Sequence, residues 1–115
     1  MKGIIAGMVG AVFSVGVIAA DANGSYTVYG AGATTCGTVI KNSRNGTIDV
    51  YESSWLNGYL TGINFMVDGL NDISGGVDNN GRALWIYNYC KKNPLNDLSN
   101  AASSLALELA KTKAK

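Results

Sequence analysis

The sequence predicts an all-α domain: a small orthogonal bundle of about four helices, stapled by one disulfide and preceded by an extended N-terminal arm. Three observations predict it. Apolar residues recur at spacings of three and four from Asp49 to Val67 and again from Pro94 to Lys111, the signature of buried helix faces. Glycines gather in the stretches between, at 30–46 and 69–81, where they favour irregular structure. Two cysteines, Cys36 and Cys90, stand behind an export-type N-terminus with no histidine anywhere in the chain. Without histidine or a second cysteine pair they complete no zinc site, so an oxidising compartment should join them.

The N-terminus begins Met1-Lys2-Gly3 and continues as an apolar run from Ile4 to Ala20, broken by glycines and Ser14. One positive charge, an apolar middle and small residues at its end match a secretory signal peptide. Cleavage after Ala19 and after Ala22 both fit, and Ala20-Asp21-Ala22 is the direct match to the small-residue pattern. The rival, an uncleaved anchor, has barely enough length to span a bilayer. Asp21-Ala22-Asn23-Gly24 follows at once, which favours cleavage. Residues 1–22 are therefore read as the signal peptide, and 23–115 as a single helical domain destined for the periplasm. A core of that size is marginal without a staple.

The formal net charge is +1 and leaves no basic face for nucleic acid, nor an attraction to anionic membranes. Charged residues make up 15% of the chain, below the usual quarter, so Asn, Ser, Thr and Gly should dominate the surface.

Residues 23–35 are rich in Gly, Tyr and Thr and read as an ordered arm. Thr34 or Thr35 is placed to cap a short helix carrying Cys36, Val39 and Ile40 and ending near Asn42, with Asn45-Gly46 as a turn. In the Asp49–Val67 helix, Trp55, Tyr59, Ile63 and Met66 form the stripe, widened by Leu56 and Leu60. Gly58 and Gly62 sit four apart inside it, each costing about 1 kcal/mol relative to alanine. That cost points to close helix packing against another backbone. Residues 68–81 read as a loop. Arg82–Lys92 reads as a third helix with Leu84, Tyr87 and Cys90 on one side, flanked by Ala83 and Ile86. Asn93 then reads as an N-cap and Pro94 as the first residue of the last helix. Its stripe is Leu95, Leu98, Ala102, Leu105 and Leu109, and its lysine-rich end reads as a solvated tail.

Joining Cys36 to Cys90 closes most of the domain, which the chain-entropy account values at roughly 4 kcal/mol. The rival reading of a reactive thiol lacks an activating histidine, with only Lys91 beside Cys90. The same absence removes Ser–His and Cys–His nucleophile pairs and an imidazole base. Glu52 and Glu108 are the only glutamates. Asp49 and Glu52 lie one turn apart, but Glu52 is expected to face solvent, and a domain this small rarely holds a sugar cleft. Asp72, Asp78, Asn79 and Asn80 offer oxygens for calcium without the alternate spacing of an EF-hand. No enzyme activity, cofactor or metal is expected.

Trp55 and Tyr59 read as core. Trp85 and Tyr89 stand four apart on the third helix, offset from its apolar side. They fit an interface anchor, and fit equally a pair packed on the N-terminal arm.

Two segments resemble a known family. Trp55-Leu-Asn-Gly58-Tyr59-Leu60-Thr-Gly62 is similar to the glycine-containing helix of the Rap1a/Tai family of periplasmic immunity proteins. Trp85-Ile-x-x-Tyr89-Cys90-x-x-Asn93-Pro94-Leu95, with the Ala101-Ala102 helix after it, resembles that family's closing helix pair. The layout of a small exported helical chain with one long-range cysteine pair also resembles the HdeA/HdeB acid-stress chaperones. The first resemblance implies a non-catalytic inhibitor of a peptidoglycan-degrading effector. The second implies a holdase for unfolded clients at low pH. With seven acidic side chains beyond residue 22, protonation would swing the charge only modestly, which favours a specific protein partner. An accessory envelope role and a homodimer are also compatible with the sequence.

Overall fold

A computed structural model describes residues 20–113. The signal-peptide reading of residues 1–22 thus falls almost wholly outside the described residues. Within them lie four α-helices and no strand: α1 (Cys36–Asn42), α2 (Val50–Met66), α3 (Asn79–Lys92) and α4 (Leu98–Lys113), with a 3-10 turn at Gly30–Ala33. The all-α expectation holds.

Each of the first three helices starts where a short polar side chain accepts an otherwise unpaired backbone N–H. Thr35 accepts from the Thr38 N–H at 3.3 Å, Asp49 from Glu52 at 2.9 Å and Asp78 from Gly81 at 2.8 Å. Asn45 and Gly46 both take positive φ, 54° and 75°, in a turn that pairs Arg44 with Thr47 through two 2.9 Å bonds.

The fourth helix corrects the sequence reading. It begins at Leu98, not at Pro94, and Asp97 is its cap. The Asp97 carboxylate accepts from the Asn100 N–H at 2.9 Å, while the Asn100 side chain accepts from the Asp97 N–H at 3.0 Å. That reciprocal pair is a capping box built on Asn. Asn93 instead ends α3: its backbone N–H reaches the Tyr89 and Cys90 carbonyls. Residues 94–97 are kept out of the helix because their carbonyls serve α1. Cys36 N–H donates to Asn96 O at 2.7 Å, and Gly37 N–H to Pro94 O at 3.1 Å. Leu95, expected on the core stripe, is consequently 96% exposed.

Cys36 and Cys90 are joined, with Cα atoms 4.8 Å apart and both side chains fully buried. A formed disulfide indicates an oxidising, non-cytoplasmic environment. No helix among the described residues is long and apolar enough to cross a membrane.

Helix α3 packs on α1 and α4, while α2 packs on α4 and the 3-10 turn. Leu56 and Leu60 of α2, Ala83, Ile86 and Cys90 of α3, and Leu98, Ala101, Ala102 and Leu105 of α4 meet in one core. Burying each Leu or Ile contributes about 1.5–3 kcal/mol. The centre of both middle helices is therefore one residue round from the expected stripe. Met66 and Leu84 are exposed, and Trp55 and Tyr59 flank the core without filling it. Each of these helices has neighbours on more than one side, so apolar residues occur around much of its girth and blur the phase.

Candidate functional site

Burial of Ile86 and Cys90 fixes the rotation of α3, and with it the positions of their neighbours Trp85 and Tyr89. One helical turn apart, these two stack with ring centroids 5.7 Å apart and planes at 18°. The segment between α3 and α4 anchors Tyr89. Asn96 donates to the Tyr89 hydroxyl at 2.7 Å, and the Asn93 side chain donates to the Tyr89 carbonyl at 2.9 Å. Trp85, Asn88, Tyr89, Lys92 and Asn93 line an open cleft of about 300 Å³. The two aromatic residues singled out from sequence thus share one surface depression. Asn88, Lys92 and Asn93 were not singled out, although Asn88 and Lys92 follow from i+3 and i+7 spacing after Trp85.

The cleft carries one cation and no acid. The ion pair found among the described residues is elsewhere, between Lys111 and Glu108 at 3.3 Å. No acceptor among those residues meets the Trp85 indole N–H, the Asn88 amide or the Lys92 ammonium. Lys91, next along, lies 5.5 Å from the Tyr87 ring centroid, a cation–π distance.

A second stacked pair, Trp55 and Tyr59, has nearly the same geometry, 5.4 Å and 25°. Here the chain's own arm covers it. The Trp55 indole donates to the Tyr29 carbonyl at 2.7 Å. Gly32 lies against the indole so closely that a Cβ there would collide with Trp55 Cζ2 and Cε2, and would sit 2.6 Å from Val28 Cγ1. Burial, with a smaller effect from Tyr26, pushes the Tyr59 hydroxyl pKa up. The arm therefore packs on the Trp55 pair, and Trp85–Tyr89 is left with its cleft open.

Two expectations are corrected. Among the described residues Gly58 and Gly62 meet no close packing: no atom outside their own stretch of helix lies within 4 Å of where a Cβ would stand on either. Both are exposed on the outer side of α2, because Leu56 and Leu60 face inward. Glu52, expected in solvent, is 1% exposed. Its Oε2 accepts from Asn42 Nδ2 at 3.1 Å, whereas Oε1 is buried without a partner. Desolvation raises its pKa above the ordinary glutamate value, the Asn42 bond opposes this, and the Asp49 charge adds to the rise.

Three of the four loop side chains considered for calcium are engaged in hydrogen bonds within the chain. Asp72 accepts from the Ser74 N–H at 3.0 Å, Asp78 caps α3, and Asn79 accepts from Asn57 at 3.1 Å. Arg82 holds this loop through Ser74 Oγ at 2.9 Å and Val77 O at 2.6 Å. Asn57, Asn64, Asp72 and Arg82 line a smaller depression of about 130 Å³ beside it. Among the described residues no group of three or more acidic, cysteine or histidine side chains is placed to hold a metal. Comparison with protein families, curated proteins and solved structures finds no match to this chain.

Proposed function

We propose that this chain is an exported, periplasmic, non-catalytic domain that binds another protein through the Trp85–Tyr89 face. One observation carries the proposal. Of two stacked Trp–Tyr pairs with matching geometry, the chain covers one with its own arm and leaves the other beside an open cleft with its donors unspent. Aromatic pairs of this kind, rigid and part apolar, supply large contact area at low entropic cost. The Rap1a/Tai resemblance gives the proposal its specific form, an immunity-type inhibitor that occludes a peptidoglycan-degrading effector.

The HdeA-like reading is favoured by one observation, the exposure of Phe65 and Met66 at the end of α2, 85% and 72%. The buried Glu52 opposes it. Protonation relieves that carboxyl, so acid tightens its surroundings where an acid-opened holdase needs them to loosen.

The test is recovery of a partner from periplasmic extract at neutral pH by the tagged chain and by Trp85→Ala and Tyr89→Ala. The proposal expects a defined partner that both variants lose while keeping wild-type helicity. Equal recovery by the variants overturns it. Protection of several unrelated clients from aggregation at low pH alone would select the chaperone reading.

A further inference from the structure

We propose that the Trp85–Tyr89 cleft takes an acidic segment of its partner that runs extended and then turns at glycines, in the manner in which the Trp55–Tyr59 pair takes residues 26–33 of this chain, extended to Tyr29 and turned at Gly30–Ala33. The inference rests on the protein-binding reading above and names the chemistry of the segment bound.

The covered pair supplies the pattern. At Trp55, extended backbone ending at Tyr29 gives a carbonyl oxygen to the indole N–H, and the 3-10 turn that follows lays Gly32 against the indole where no side chain fits. The Trp85 indole has the same stacked tyrosine one turn on, and its N–H has no acceptor among the described residues. An occupant must therefore bring acceptors. Extended backbone does so, since each residue exposes a carbonyl when it is not paired in a helix or sheet.

Charge selects within that class. Lys92 lines the cleft unpaired, no carboxylate lines it, and the Asn88 amide stands free on the rim. A carboxylate in the bound segment would meet Lys92, whereas a basic segment would meet only repulsion. Tyr89 offers its hydroxyl proton as well, because Asn96 donates to that oxygen.

The chain's own arm is not the occupant. It is in place on Trp55, and its one acid, Asp21, spends its carboxylate on the N–H groups of Asn23 and Ser25 at 2.8 and 2.9 Å.

The probe is a synthetic peptide with the sequence of residues 25–33, carrying two aspartates or two lysines at its end. It is titrated into the intact, disulfide-bonded, 15N-labelled protein. Trp55 and Trp85 give separate indole N–H signals, so the site is read directly. The expected result is saturable movement of the Trp85 signal with the Trp55 signal still. The aspartate form should bind about five-fold tighter than the lysine form at low salt, with the difference shrinking at high salt. Lys92→Glu, at an exposed position, should reverse the preference without unfolding the chain. Replacing both peptide glycines by valine should abolish the movement. No response at Trp85 up to roughly millimolar peptide overturns the proposal, as does equal binding of the two charge forms. Dimerisation that protects Trp85 also overturns it, in favour of a second copy as occupant. If Trp85→Ala loses a periplasmic partner while the peptides fail, only the segment chemistry falls and the binding face stands.

Discussion

Breaking the Cys36–Cys90 bond should cost this domain a large part of its stability. The sequence separation is 54 residues, for which chain-entropy reasoning gives roughly 4 kcal/mol of lost constraint on the unfolded chain. A domain of this size has on the order of 5 kcal/mol or a little more in total. The bond also ties α1 to α3 at the place where the residues before α4 close over both. Urea unfolding followed by circular dichroism measures the loss, with and without reductant. A slope of about 1 kcal/mol per molar, usual for small domains, turns it into a midpoint shift of several molar. In thermal melts, each kcal/mol should move Tm by about 4–8 °C. The Cys36→Ala/Cys90→Ala double variant separates the bond from the buried sulfurs. It should match the reduced protein to within about 1–2 kcal/mol, the difference being its lost packing. A reduced protein that unfolds within about 1 kcal/mol of the oxidised one would refute the view that this bond carries the fold.

Gly32→Ala should destabilise the domain by about 1–3 kcal/mol, because the new methyl displaces the Trp55 indole from its seat. Tryptophan fluorescence and urea melts together check this, and an unchanged emission spectrum would contradict it. Glu52→Gln tests the buried carboxyl. Its folded pKa is raised above the ordinary 4.5, so its burial is free of penalty below that value and increasingly penalised as pH rises through the folded pKa. The variant should match wild type in acid and exceed it in stability at neutral pH. A wild-type advantage at neutral pH in urea melts would reverse that assignment.

The parts of the fold legible in sequence were those set by local chemistry. Thr35 and Asp49 cap α1 and α2 because a short side-chain oxygen at a helix boundary satisfies an orphan N–H whatever lies around it. The disulfide was legible because an export-like N-terminal sequence and the absence of histidine left the cysteines one expected role. What tertiary contacts decide was not legible. Asn93-Pro94 has every local mark of a helix start, yet Pro94 and Asn96 give their carbonyls to α1, and the helix waits for Asp97. Glu52 reads as a surface acid on its own helix, and only the arrival of Asn42 from α1 buries it. The phase of α2 and α3 slipped by one residue because large aromatics drew the stripe toward themselves. Small and aliphatic neighbours, Leu56 and Ile86, took the centre. Trp85 and Tyr89 could be singled out as a pair, but their openness depends on where the arm packs, which no local pattern specifies.

The most direct test of the proposed binding face is site-specific photo-crosslinking in cells that make the chain, with the photoreactive residue at Asn88 on the cleft rim or at Ser54 on the exposed side of α2. The account predicts a discrete crosslinked partner from position 88 that Trp85→Ala abolishes, and none from position 54. Crosslinking that is equal at both positions, or unaffected by Trp85→Ala, would contradict it.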